Sequence, residues 1–129
     1  MAILARALTI IAIAFGLTLA SVSYGAAPAR TGQTEKGDAL VNSEGMSLYV
    51  YDKDEKGKSN CYDRCAQNWP PLMAEKGTSA EGDWSVIERN DGSFQWAYKG
   101  APLYTWVKDT KPGDATGDGV GGVWKLARP

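Results

Sequence analysis

The sequence predicts a mostly β fold: one small compact domain of two pseudo-symmetric β units with one short helical turn. Three observations predict it. A block of residues recurs at a fixed offset, short alternating runs are separated by strong turn signals, and a cysteine pair before Pro70-Pro71 sits where a brief helix would fit. The repeat is the most informative of these. Gly45, Leu48, Tyr49, Tyr51, Lys53, Asp54, Lys56 and Trp69 return 55 positions later as Gly100, Leu103, Tyr104, Trp106, Lys108, Asp109, Lys111 and Trp124. Segments 45–72 and 100–126 therefore read as one structural unit used twice, and two copies favour a pseudo-two-fold domain over an extended array.

Residues 1–25 have the form of a secretory signal peptide. Arg6 gives a positive start, 7–20 are uncharged and apolar, and Ser23-Tyr24-Gly25 places small residues where a signal peptidase reads. The apolar run is short for a spanning helix, which needs about 20 residues. Residues 26–36 are small and polar and are expected to form a flexible lead-in to a single domain over 37–129.

Within that domain the first strand is expected at 39–42 and the second at 47–51. In the second, Tyr49 and Tyr51 face one way and Leu48 and Val50 the other. A charged turn centred on Gly57 follows. Asn60 can cap a short helix over 61–68, with Asp63 near its positive end, and Pro70-Pro71 ends it for want of backbone N–H groups. Residues 84–88 and 93–98 alternate around Asn90-Asp91-Gly92, a hairpin signal. Lys99-Gly100 makes the next turn and 102–107 is the repeated strand. Residues 108–122, with five glycines, are expected to be an irregular loop, and 123–126 a closing strand.

These motifs carry a family resemblance. Tyr49-Val50-Tyr51-Asp52-Lys53-Asp54, Cys61 and Cys65 followed by Asn68-Trp69-Pro70-Pro71-Leu72, Arg89-Asn90-Asp91-Gly92 with Gln95, Pro102-Leu103-Tyr104 and the glycine-rich stretch to Trp124 occur in order. The chain resembles a secreted-repeat family of bacterial envelope proteins, predicted lipoproteins with a Y-x-(F/W/Y)-x-x-D motif. The likeness spans about 37–126. It implies an envelope setting, periplasmic or secreted, and no particular activity. A lipoprotein needs a cysteine just after its leader, and this chain has none there, so no lipid anchor is carried over.

Charge narrows the partners. The chain has 14 basic and 15 acidic residues. Arg6 is the only charged residue of 1–25, so 13 and 15 remain without the leader, a net charge of −2. With no basic block, nucleic acid is not an expected partner. An unidentified envelope component or a small ligand is. Cys61 and Cys65 are the only cysteines, and an exported chain meets oxidising conditions. On a helical turn their Cα atoms would lie about 6 Å apart, within bridging range. A structural disulfide is expected; a redox-active pair more often has two intervening residues, not three.

Catalysis has little support. The chain has no histidine, which removes the commonest general base and metal ligand. No nucleophile elbow or phosphate loop is present, and neither cysteine has an activating partner. No cofactor is expected. The candidate binding residues are those of the repeat: Tyr49, Tyr51, Asp54, Tyr104, Trp106 and Asp109. The tyrosines and tryptophans either fill the core, with Trp69 and Trp124 plugging the two halves, or form a platform on which Trp96 or Trp106 is partly open to a flat ligand. Asp54 and Asp109 either accept backbone N–H groups of the following turn or bind a ligand. Two segments partly imitate calcium loops. One is Asp52, Asp54, Gly57, Asn60 and Asp63, where Lys56 occupies a ligand position; the other is Asp109, Asp114 and Asp118. The role expected is a non-catalytic exported binding module. Its rivals are a carboxylate-based hydrolase of envelope glycans, with two carboxyls facing across a groove, and a purely structural envelope partner, with an apolar patch.

Overall fold

A computed structural model describes residues 27–129. The signal-peptide reading of 1–25 lies outside the described residues.

The chain enters the fold earlier than its composition suggests. Residues 26–36 do not all form a lead-in: β1 (Arg30–Thr34) pairs antiparallel with β2 (Gly37–Val41), from Arg30 opposite Val41 to Thr34 opposite Gly37. The small residues that read as unstructured are what this hairpin needs. A Cβ at Gly32 would lie 2.7 Å from Val41 Cγ2, so glycine lets the Val41 side chain close over β1. The Thr34 hydroxyl accepts the Lys36 N–H and donates to the Gly37 carbonyl, which closes the turn.

The expected second strand is shorter than 47–51. Ser47 makes one bridge to Val41, and β3 is Tyr49–Tyr51. It then runs to a charged turn and to α1 (Arg64–Asn68). The helix does not begin at Cys61 under an Asn60 cap. The Asn60 side chain instead donates to the Lys53 carbonyl at 2.7 Å, and Asp63, at φ 53, precedes the helix without a side-chain cap bond. Cys61 and Cys65 form a disulfide across this turn, with Cα atoms 5.2 Å apart. Closing so short a loop contributes about 2 kcal/mol in chain-entropy terms.

After β4 (Met73–Ala74) comes the hairpin expected from Asn90-Asp91-Gly92. Its strands β5 (Trp84–Glu88) and β6 (Phe94–Tyr98) pair antiparallel, with Val86 opposite Trp96. Strand β6 also pairs with β4 and with β7 (Ala101–Pro102), giving the largest sheet among the described residues. The repeated strand expected over 102–107 is reduced to β7 and single bridges at Tyr104. The glycine-rich stretch is irregular as expected, apart from a 3-10 turn at Val120–Gly122, and β8 (Trp124–Leu126) closes the domain against β3.

The two units meet at Tyr49 and Tyr104. Each donates its N–H to the other's carbonyl, at 2.8 and 3.0 Å. The repeat-equivalent Leu72 and Ala127 donate in the same crossed manner, to Leu103 and Leu48 respectively. Side chains then alternate as the strand period requires. Leu48 and Leu103, both fully buried, pack with Leu40 and Ala127 on one side, while Tyr49, Tyr104, Trp69 and Trp124 form the core on the other.

Candidate functional site

The repeat motif builds its own interior. Tyr49 donates its hydroxyl to Asp109 Oδ2 at 2.6 Å, and Tyr104 donates to Asp54 Oδ2 at 2.6 Å. The pairs are crossed: each unit's tyrosine serves the other unit's aspartate. The second carboxylate oxygen does what the sequence suggests. Asp54 Oδ1 accepts the Asn60 N–H at 2.7 Å, and Asp109 Oδ1 accepts the N–H and hydroxyl of Thr116.

The aromatic residues repeat the same symmetry. Tyr51 stacks on Trp124 (centroids 4.3 Å apart), Trp124 on Trp69 (3.8 Å) and Trp69 on Trp106 (4.0 Å). Tyr51 and Trp106 are repeat equivalents, as are Trp69 and Trp124, so the stack reads the same from both ends. Tyr49 and Tyr104 pack edge-on against its inner rings.

The family described as a secreted repeat of unknown function matches this chain twice, over residues 30–73 and 85–128. The chain belongs to this secreted-repeat family. Its two matched segments stand at the 55-residue offset of the motif and begin 15 residues before the repeat at 45–72 and 100–126. The first repeat thus includes the β1–β2 hairpin and the second includes β5–β6. Neither a curated protein nor a solved structure matches the chain.

The geometry separates the alternatives that the sequence leaves open for each residue of the secreted repeats. Tyr49 and Tyr104 are fully buried, and Asp109 is 7% exposed. These residues form the frame. Asp54 and Asp109 do not face one another across a groove, because each faces a tyrosine of the opposite unit. Trp96 is buried, so it is not a platform; it lies on β6, edge-on to Trp84. Trp106 and Tyr51, at the ends of the stack, are half-buried.

The aspartates of the glycine-rich loop do not converge. Asp114 holds the Thr110 and Lys111 N–H groups and the Lys111 ammonium at 2.6 Å; Asp118 accepts the Leu126 N–H and pairs with Lys36. Among the described residues no cluster of three metal-ligating side chains occurs, the partial loop from Asp52 to Asp63 included.

One buried group carried no functional signal in the sequence. Arg89, 4% exposed, follows β5 and points into the first unit. Its guanidinium donates to Ser59 Oγ at 3.0 Å, Gln95 Oε1 at 2.7 Å and the Cys61 carbonyl at 2.6 Å, and it covers the Tyr62 ring at 4.3 Å. Ser59 also joins the Tyr104 hydroxyl at 2.7 Å, so the chain Arg89–Ser59–Tyr104–Asp54 is continuous. Arg89 stands in the family motif without a role; only the fold brings it to Ser59, 30 positions away.

Burial sets the protonation of this network. It raises the Tyr49 and Tyr104 hydroxyls well above the ordinary phenol range, and their carboxylate partners raise them further. Asp54 is also raised, by burial first, against the Tyr104 and Asn60 hydrogen bonds and the Arg89 charge. Asp114 is lowered to about 2, chiefly by Lys111 and the Thr110 N–H. The two acids therefore act oppositely on stability. A raised acid binds its proton more tightly when folded, so the contribution of Asp54 falls as pH rises from about 4 through its folded pKa. The contribution of Asp114 is present above about pH 4 and is lost as pH falls towards 2. In urea titrations from pH 6 to pH 2, Asp114→Asn should lack the part of the acid destabilisation that falls between pH 4 and 2. An unchanged acid limb would exclude that role.

One concave surface lies at the Tyr51 end of the stack, and another, of about 290 Å³, beside Val50, Tyr98 and Lys125. A cleft of about 270 Å³ is lined by Tyr51, Asp54, Glu55, Lys56, Lys99, Gly100, Ala101 and Pro102. A second depression of about 480 Å³ adjoins it, sharing Lys56, Lys99 and Gly100. A Cβ at Gly100, whose φ is 82°, would lie 2.5 Å from Lys56 Cγ, so glycine here lets the Lys56 stem cross between them.

Proposed function

We propose that this secreted-repeat protein is an exported, non-catalytic binding module of the bacterial envelope, periplasmic or released, that holds a small ring-bearing ligand in the cleft ending on Tyr51. The observation that carries this reading is the division of labour between motif residues. Tyr49, Tyr104, Asp54 and Asp109 spend their polar groups on one another and on adjacent backbone N–H groups, which leaves them no free group for chemistry on a bound substrate. Asp54 also borders the open cleft, but with both carboxylate oxygens engaged, whereas Tyr51 of the same motif lines it with an aromatic ring. A tyrosine ring backed by Trp124 is a rigid apolar surface of the kind on which sugar and other ring ligands rest.

Two features weigh against the rival roles. The motif carboxylates are not paired across a groove as a hydrolase of glycans requires. The exposed large apolar side chains among the described residues are Met73 and Val107, on separate segments, which makes a poor apolar docking patch.

Thermal shift of the oxidised protein against a panel of envelope oligosaccharides tests the reading. A ligand at about 100 times its dissociation constant should add roughly 2.7 kcal/mol of stability. Tyr51→Leu should abolish the shift while the folded protein retains its disulfide and near-UV tryptophan signal. A panel without a single shift, or one whose shifts survive Tyr51→Leu, would remove the cleft from consideration.

A further inference from the structure

The two units offer the same pocket twice, and one copy has been closed. The cleft beside Tyr51 is framed by Lys56, Gly57, Lys99 and Gly100. Their repeat equivalents are Lys111, Pro112, Glu44 and Gly45, next to Trp106. There, Pro112 packs on Gly45, with its Cβ 3.1 Å from where a Gly45 Cβ would stand. Lys111 is bound to Asp114 at 2.6 Å, and a glutamate replaces the second lysine. At the open end Gly57 takes the place of that proline and donates its N–H to the Gly100 carbonyl at 2.8 Å, which keeps the cleft clear of a ring.

The open end also keeps its charges free. Ion pairs among the described residues join Lys36 to Asp118, Lys58 to Glu55, Lys111 to Asp114 and Lys125 to Asp52; Lys56 and Lys99 take part in none. Three acids border the two depressions, and Asp83, on the second, makes no ion pair with either lysine. Glu55 is paired with Lys58, and Asp54 is turned inward to Tyr104 and Asn60. Lys99 is held at φ 49, a left-handed conformation that asparagine or glycine adopts at lower cost. Its ammonium lies 5.2 Å from the centre of the Tyr98 ring but makes no ion pair, so a strained, charged side chain stands beside a second unpaired lysine and an aromatic floor.

Resting on the binding reading above, we infer that this cleft is an anion site, built for a carboxylated sugar ring. Tyr51 takes the face of the ring, and Lys56 and Lys99 take the carboxylate. A neutral sugar would leave both ammonium groups unmatched.

A uronic acid oligomer and its methyl ester separate charge from ring shape, since they differ only at the carboxylate. Isothermal titration of the oxidised protein should show the acid binding at least tenfold more tightly than the ester, with the advantage shrinking as salt is raised. Lys99→Gly and Lys56→Gln should each weaken acid binding about tenfold or more. Lys99→Gly should do so with an unchanged or higher Tm, because glycine relieves the turn, whereas a merely structural lysine would lower Tm without touching affinity. Equal binding of acid and ester, or acid affinity unmoved in both lysine variants, overturns the anion site. If Tyr51→Leu still abolishes that binding, the ring-binding reading survives alone. Binding of neither probe overturns the anion site; the binding reading itself falls only if the wider oligosaccharide panel is also silent.

Discussion

Arg89→Met should cost the oxidised domain roughly 4 kcal/mol, the largest loss expected from one polar side chain in this protein. That magnitude follows from what the guanidinium leaves behind. Gln95 Oε1 and the Cys61 carbonyl, both on fully buried residues, lose their Arg89 donor, and an unmet buried acceptor costs about 1–3 kcal/mol. Ser59 is spared, because its hydroxyl still meets Tyr104 and the Cys61 N–H. Lysine is not a conservative replacement, since one ammonium cannot present the planar fork that reaches Gln95 and Cys61 together. Arg89→Lys should therefore recover less than half of the loss. Urea denaturation at neutral pH measures both variants, and a double-mutant cycle with Gln95→Leu isolates their coupling, expected at about 0.5–3 kcal/mol. A loss below about 1 kcal/mol for Arg89→Met would mean that water satisfies these acceptors and that the network is not a structural one. For a domain of this size, whose total stability is about 5–15 kcal/mol, the predicted loss is a large fraction of the whole.

The second large effect concerns the inner rings of the stack. Trp69→Ala and Trp124→Ala should each cost about 3–5 kcal/mol, the range for truncating a buried aromatic. Because the two are repeat equivalents, 4% and 5% exposed, their losses should be alike. They should also fail to add. The rings lie 3.8 Å apart and 4° from parallel, so the first truncation already destroys the contact that the second would remove. The double variant should fall short of the sum by about 0.5–3 kcal/mol. Additive losses would show that each ring is held by its own surroundings and that the stack has no energy as a unit. Gly117 marks how tightly this region is packed: a Cβ there would lie 2.8 Å from Trp69 and 2.9 Å from Tyr49.

The symmetric frame was legible in the sequence because the residues that make it recur unchanged. Leu48 and Leu103, the alternation of Tyr49 and Tyr51 against Leu48 and Val50, and the Trp69–Trp124 pair all stand where the 55-residue offset and the strand period put them. The hairpin at Asn90-Asp91-Gly92 was equally clear, since its turn chemistry is local. Local reasoning also offered backbone N–H groups as partners of Asp54 and Asp109, beside a bound ligand, and the fold uses the first. Such reasoning could not find their tyrosine partners, 50 and 60 positions away, because a crossed exchange depends on where the symmetry axis runs. Strand β1 was missed for a different reason: Gly32 and its small neighbours serve by being small, which composition alone reads as looseness. The cleft was hidden for a third. Lys56 and Lys111 look identical in the sequence, and only Pro112, Asp114 and Glu44 show that one is free and the other is not.

The crossed exchange has a consequence for what counts as a complete molecule. A single unit of this kind holds a tyrosine without its acceptor, an aspartate without its donor and half of a column of rings. It becomes whole only beside a second copy, so its minimal working form is a pair. Were the copies separate chains, they would have to remain identical, and any change to one pocket would be made to both. Joined in one chain, the halves still share a common interior but are free to diverge at the surface. Glu44 and Lys99 mark where they have done so, one end packed by Pro112 on Gly45 and the other bordering the cleft beside Tyr51.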